Sequence, residues 1–110
     1  MKKKIIAIGG GSMALGVTAA IDQEIISLCE KKNPTALLIP TATSDEPQYF
    51  KDFQKIYGNK YGCKTAVLEL IKAVPSKKTI QKKINDADII YVGGGNTLMM
   101  MRKWRFLGVD

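Results

Sequence analysis

The stretch Ala87-Asp88-Ile89-Ile90-Tyr91-Val92-Gly93-Gly94-Gly95-Asn96-Thr97-Leu98 decides the fold. Four apolar residues in a row, bounded by turn signals, read as a short strand buried on both faces, the habit of strands in parallel sheets. Three glycines follow, and a helix begins near Thr97. One glycine would satisfy a tight turn. Three leave a run of backbone N–H groups uncovered by side chains, at which the next helix directs its positive dipole end. That run reads as a cradle for an oxyanion or carboxylate, beside the plainer account of a turn capped by Asn96 or Thr97.

The same grammar extends upstream. Ile5-Ile6-Ala7-Ile8 is a second all-apolar strand, ending in Gly9-Gly10-Gly11. Val17, Ile21, Ile25 and Leu28 recur at helical spacing and predict a helix to about Lys32, stopped by Asn33-Pro34. Ala36-Leu37-Leu38-Ile39 is a strand closed by Pro40. Thr43-Ser44-Asp45-Glu46-Pro47 carries a hydroxyl cap and first-turn acids, so a helix is expected from there, with Tyr49, Phe50, Phe53, Ile56 and Tyr57 as its buried stripe and Gly58-Asn59 as its end. Residues 65–70 read as a further strand. Ser76 caps a helix that turns Ile80, Ile84 and Ala87 inward and Lys77, Lys78, Lys82 and Lys83 to water.

Strand and helix thus alternate four times, with no linker, repeat or charge block between them. The expectation is one domain over 1–110, an α/β doubly wound parallel sheet with right-handed crossovers. Ligands of such sheets bind beyond the carboxyl ends of the strands. The loops at 9–12, 40–44 and 93–96 are expected to share that rim.

Composition narrows the chemistry. The 110 residues are 45% hydrophobic and 25% charged, which excludes disorder and low complexity. No apolar run approaches the ~20 residues of a membrane span. The lysine-rich start is broken by glycines before a signal-peptide core can form, so a cytoplasmic protein is expected. The net charge of +7 raises nucleic acid as a partner, but only Arg102 and Arg105 among the 17 basic residues are arginine. The lysines come in scattered pairs, and no nucleic-acid role is expected. Histidine is absent, so these residues offer no Ser-His or Cys-His pair and no histidine metal site. Cys29 and Cys63 lack CxxC spacing and read as reduced packing thiols. No metal cluster is expected.

The first glycine loop fits two nucleotide motifs incompletely. Gly9-Gly10-Gly11-Ser12-Met13-Ala14 has dinucleotide-loop spacing, but the strand that should carry the ribose-binding acid ends Ile39-Pro40-Thr41. The P-loop spacing from Gly11 places Val17 where a lysine must meet the phosphates.

Taken together, Ile5 to Gly11, Ile21-Asp22-Gln23-Glu24-Ile25, Leu38-Ile39-Pro40-Thr41-Ala42-Thr43-Ser44-Asp45, Tyr57-Gly58, Gly62-Cys63, and the 87–98 block with Trp104 behind it resemble the dipeptidase E-like serine peptidases of family S51, which also include cyanophycinase. The resemblance covers essentially the whole chain. It implies a flavodoxin-type fold like that of class I glutamine amidotransferases. It also implies a Ser nucleophile on a strand-to-helix elbow, served by a downstream His and an acid, and cleavage of small peptides, typically Asp-Xaa dipeptides, without metal or cofactor. By position Gly95 would supply the oxyanion-hole N–H, with Gly94 and Asn96 shaping the loop. Gly10, Gly11 and Ser12, and Thr43 and Ser44, would be rim residues near the substrate.

The sequence departs from these relatives in one respect. No G-x-S-x-G occurs in it and no histidine, so no catalytic residue is assigned within it. Ser12, Ser27, Ser44 and Ser76 have no base partner that spacing would identify. The expectation is the N-terminal half of an S51 domain, its fold incomplete at the C-terminus, with an oxyanion loop and no nucleophile, inactive alone. A non-catalytic α/β module that holds a small anion or nucleotide in the glycine loops stays open beside it. Met99, Met100, Met101, Trp104, Phe106 and Leu107 put apolar groups nearly all round the last helix. That pattern anticipates protein on more than one side, either further strands or a second copy meeting the helix or an exposed sheet edge.

Overall fold

Pro34 and Pro40 bracket the most apolar run of the chain, and between them lies β1, Thr35–Ile39, with Ala36, Leu37, Leu38 and Ile39 all buried. A strand buried on both faces belongs in the middle of a covered sheet. The computed structural model describes residues 19–29, 32–43, 47–71, 75–93 and 97–109, and the strand expected at 5–8 lies outside them. Among the described residues the sheet is three-stranded and parallel, with β1 flanked by β2, Lys64–Val67, on one side and β3, Ile89–Val92, on the other.

Register sorts the side chains into two faces. Leu37 pairs with Ala66 and with Ile90, while Leu38 pairs with Val67 and Tyr91. Since successive residues of a strand alternate sides, Ala36, Leu38, Ile89 and Tyr91 share one face, and Leu37, Ile39, Ala66, Ile90 and Val92 the other. On the first face the core joins Ala36, Leu38 and Ile89 to Phe53 and Tyr57, with Ile25 and Ile26 of the helix α1, Ala19–Leu28, and Cys29 just after it. Phe53 and Tyr57 come from α2, Pro47–Phe53, and the π-helix that continues it, Gln54–Lys60. On the second face Leu37 and Ile39 meet Ile80 and Ile84 of α3, Lys77–Asp86, and Trp104 and Leu107 of α4, Thr97–Leu107. Helices on both faces of a parallel sheet make the doubly wound, flavodoxin-type α/β architecture.

Several local expectations hold. Ser76 caps α3, its hydroxyl accepting the Thr79 N–H at 3.2 Å. α4 begins at Thr97, and Pro47 takes the first position of α2, where its missing N–H costs nothing.

Four details are corrected. The buried side of α1 is Asp22, Ile25, Ile26 and Cys29, one residue round from the predicted stripe, leaving Ile21 exposed. The helix expected from Thr43 is preceded by a 3-10 turn, Thr41–Thr43, and α2 starts at Pro47. Gly58-Asn59 lies inside the π-helix rather than ending it. The strand expected at 65–70 is regular only over Lys64–Val67, although Leu68 N–H still bonds the Leu38 carbonyl at 2.8 Å and Leu68 and Leu70 stay buried. Among the described residues, no helix is long and apolar enough to cross a membrane.

Candidate functional site

Parallel strands deliver their carboxyl ends to one rim, and β1 and β3 do so side by side. The Gly93 N–H bonds the Ile39 carbonyl at 3.4 Å, continuing the ladder one step past β3. Gly93 is buried. A Cβ there would lie 3.0 Å from Cε2 and Cζ of Tyr49 and 3.2 Å from its hydroxyl. What crowds this position is the aromatic ring and not the backbone angle. The first amide of the glycine run is therefore engaged in the sheet, and an oxyanion cradle would have to use amides beyond it.

Across the rim, β1 passes through Pro40 into the 3-10 turn. Thr41 is fully buried, and its hydroxyl accepts the indole N–H of Trp104 at 3.0 Å. That bond ties α4, the helix after the glycine run, to the loop after β1. The aromatic residue that follows the glycine block in sequence thus holds the two sides of the rim together.

Beneath Gly93 lies a polar cluster. Asp22 is only 1% exposed, and the Tyr57 hydroxyl donates to its Oδ1 at 2.7 Å. Phe53 stacks on Tyr57 with centroids 4.8 Å apart, and Tyr91 stands edge-on to Tyr57 at 5.6 Å. The Tyr49 and Tyr91 hydroxyls are hydrogen-bonded to each other. Burial pushes Tyr57 well above the ordinary phenol range, and donation to Asp22 pushes it further. Burial also raises Tyr91, reinforced by Tyr49 and Asp22, and raises Tyr49, against which the bond to Tyr91 acts in the opposite sense. All three phenols stay protonated at neutral pH and serve as donors and supports, not as bases.

The periodicity of the first helix missed this cluster, because it ranked Ile21 above Asp22 for burial. The available signal was an acid beside an apolar stripe, together with three tyrosines at strand and helix positions that face the sheet.

Of the site residues expected from sequence, Gly10, Gly11, Ser12, Ser44, Gly94, Gly95 and Asn96 lie outside the described residues. Thr43 closes the 3-10 turn after β1, at the carboxyl rim. Cys29 and Cys63 are both buried and neither forms a disulfide, and burial pushes the Cys63 thiol up, with Cys29 adding to the effect. A raised thiol in a core packs and does not attack. Among the described residues, no three His, Cys, Asp or Glu side chains group to hold a metal. On the outer side of α4 a groove of about 420 Å³ is lined by Ile71, Leu98, Met99, Arg102, Lys103 and Phe106, which sets two cations on an apolar floor.

Comparison with known proteins bears on this arrangement. The profile of peptidase family S51 matches residues 5–110. A protein of Bacillus subtilis (strain 168) named "Uncharacterized peptidase YgaJ" is 31% identical over 109 residues, covering 98% of this chain and 46% of that protein. The chain thus spans about half the length of this curated relative. No solved structure matches.

Proposed function

The chain belongs to peptidase family S51, and from that premise we propose that it is the oxyanion-loop portion of a cytoplasmic serine peptidase of dipeptidase E type, acting on small peptides such as Asp-Xaa dipeptides. The observation that carries the reading is the family match running unbroken through the glycine block, whose first residue sits at the buried carboxyl end of β3. Backbone donors fixed at a strand end need no reorganisation when negative charge develops on a scissile carbonyl, and such preorganisation is worth about 2.7–4 kcal/mol per donor in acyl transfer. Gly95, with Gly94, fills that role in the proposal. Gly10, Gly11, Ser12, Thr43, Ser44 and Asn96 form the surrounding rim.

The reaction is acyl transfer to water through a serine ester. These 110 residues contain neither a histidine nor a G-x-S-x-G elbow, so the nucleophile and its base come from outside them. The 110-residue chain by itself is therefore inert. Incubation with Asp-Xaa dipeptides and a fluorophosphonate probe is expected to give neither turnover nor labelling. Fusing the unmatched portion of the Bacillus subtilis relative after α4 is expected to give both. Turnover by the chain alone overturns the inertness, and a folded fusion that labels but leaves Asp-Xaa intact overturns the substrate class.

Arg102 and Lys103 on the α4 groove favour a second reading, a non-catalytic module for a small anion or nucleotide. It predicts a saturable rise in melting temperature with sulfate, a peptide carboxylate or a nucleotide, and a flat response removes it.

A further inference from the structure

The fold sorts charge as well as apolar side chains. α3 carries Lys77, Lys78, Lys82 and Lys83 against the single acid Asp86, and α4 carries Arg102, Lys103 and Arg105 with no acid. These two helices therefore hold a net +6, nearly all of the chain's +7. On the opposite face α1, α2 and the π-helix balance Asp22, Glu24 and Asp52 against Lys51, Lys55 and Lys60. Both basic helices pack on the Leu37 and Ile39 side of the sheet, and a groove between them is lined by Lys77, Gln81 and Ile84 of α3 and Leu107 of α4. Basic residues that are scattered in the sequence thus share one outer surface, where Lys77, Lys78, Arg102 and Arg105 are exposed and the Lys82–Asp86 pair is open to water.

That surface is not purely polar. Trp104 and Leu107 turn inward to the sheet cluster. At 3.6 residues per turn, Leu98, Arg102, Arg105 and Phe106 then fall on the opposite, outward arc of α4. Leu98 is 63% and Phe106 83% exposed, more than any other large hydrophobic side chain among the described residues. Ile71 and Met99 add an apolar floor beside them. The chain leaves α4 on the sheet side: Gly108 turns it at a φ of 74°, the Val109 N–H bonds the Trp104 carbonyl at 2.9 Å, and Val109 joins the inner cluster.

Charges spread over two helices attract an extended anionic surface, and apolar groups that protrude between them gain only where that surface can receive them. A nucleic acid supplies phosphate, but base stacking would use Phe106 and leave Leu98 idle. A second copy of this face would set like charge against like. A bilayer with anionic headgroups supplies both the charge and the hydrocarbon, and needs no shaped recess to do so. We propose that the outer face of α3 and α4 is a peripheral docking surface for an anionic phospholipid membrane, with Leu98 and Phe106 entering the boundary between headgroups and acyl chains and the basic side chains lying over lipid phosphates. This inference rests on charge and exposure and does not depend on peptidase activity.

The experiment sediments the 110-residue chain with vesicles of phosphatidylcholine alone and of phosphatidylcholine with about one-third phosphatidylserine, at about 0.1 M salt. Binding to the anionic vesicles is expected to be at least about tenfold tighter, and raising the salt to about 0.5 M is expected to remove most of it. Leu98→Ser with Phe106→Ser, which leaves the charge unchanged, is expected to weaken binding at least about fivefold. Lys78→Glu with Arg102→Glu is expected to weaken it at least about tenfold, whereas Lys51→Glu with Lys55→Glu, the same change in net charge on the opposite face, is expected to change it less than about twofold. Circular dichroism checks that each variant keeps the fold, and the lipid and salt comparisons need no variant. Equal binding to the two kinds of vesicle overturns the proposal. So does an equal loss from the two charge-reversed pairs, or no loss from the apolar pair. Tighter binding to a single-stranded RNA at the same salt assigns the face to nucleic acid and overturns it as well. The fusion with the unmatched portion of the Bacillus subtilis relative is tested in the same way, and a folded fusion that ignores anionic vesicles means that the rest of a longer chain covers this face, which also overturns it.

Discussion

The β2 and β3 strands flank the same central strand and have the same length, yet one margin is defended and the other is not. At β2, Lys83 reaches from α3 to cap the Val67 carbonyl, and Leu68 and Leu70 are fully buried in the cluster of Leu37, Ile39 and Ile80. At β3, the inner face rests on a network of Asp22, Tyr57, Tyr91 and Tyr49, while Ile90 and Val92 stand bare on the outer face. Water-facing edges that are meant to remain edges carry charge. The two margins thus differ in what they present: a carbonyl capped by lysine at β2, and half-exposed Ile90 and Val92 beside a buried polar network at β3.

The severest way to break this contrast is to remove the support on the tyrosine side. Phe53 is fully buried, stacked on Tyr57 and 5.6 Å from Tyr91. Phe53→Ala should cost about 3–5 kcal/mol. In native-state hydrogen exchange the amides of Ile89 and Tyr91 should lose protection before those of Ala66 and Leu68. If β2 opens first, the cluster does not serve β3 in particular.

A smaller insult strikes only the end of β3. Gly93→Ala would drive a methyl group to 3.0 Å from the Tyr49 ring, and overpacking of that kind costs about 1–3 kcal/mol. Urea denaturation should show the loss. Adding Tyr49→Leu should recover most of it, whereas Tyr49→Phe should not, because ring carbons make the clash. Full recovery with Tyr49→Phe would mean that the hydroxyl, and not the ring, decides the residue at 93.

Alkali separates the two margins without mutation. Tyr49, Tyr57 and Tyr91 all have pKa values raised above the ordinary 10.0, and Tyr91 lies on β3 with Tyr49 at its end. Below pH 10 the phenols are protonated in both folded and unfolded chains and contribute no pH dependence. Above it the unfolded chain ionises first, so stability falls as pH rises, by about 1.4 kcal/mol per pH unit each for Tyr57 and Tyr91, the two raised furthest. Tyr91→Phe should remove one such share from the slope between pH 10 and 11. A slope unchanged by that substitution would place the ionisation elsewhere.

How far these features were legible in the sequence depends on the range of the interaction that creates them. Ser76, three residues before Thr79, announced its cap because both partners sit in one turn. The βαβ rhythm was equally plain from the apolar runs at 36–39 and 89–92, although only the first is buried on both faces, Ile90 and Val92 of the second being half-exposed. Asp22 was misjudged because its partner, Tyr57, is 35 residues away and periodicity weighs only hydrophobicity. The glycines after Val92 marked the end of β3, but what crowds Gly93 is a ring from a different helix. Resemblance placed the Trp104 position behind the glycine block, and only geometry showed that its indole reaches Thr41.

Lys83 illustrates the same limit and supplies the gentlest test. The sequence reading put it with Lys77, Lys78 and Lys82 on the wet side of α3, and Lys82 does stay there, 3.8 Å from Asp86 in a pair of little consequence for stability. Lys83 instead is partly buried and donates to the Val67 carbonyl, as long amphipathic side chains can. Lys83→Met keeps the stem and deletes the donor, so the expected loss is only about 1 kcal/mol in chemical denaturation. Its larger effect should be on association. With the guard gone, the outward carbonyl of Val67 is free to accept a strand, and sedimentation should show concentration-dependent self-association that Lys83→Arg does not. A monomeric Lys83→Met chain would mean that β2 is protected by its shortness alone, and that the difference between the margins resides wholly in the bare side chains of β3.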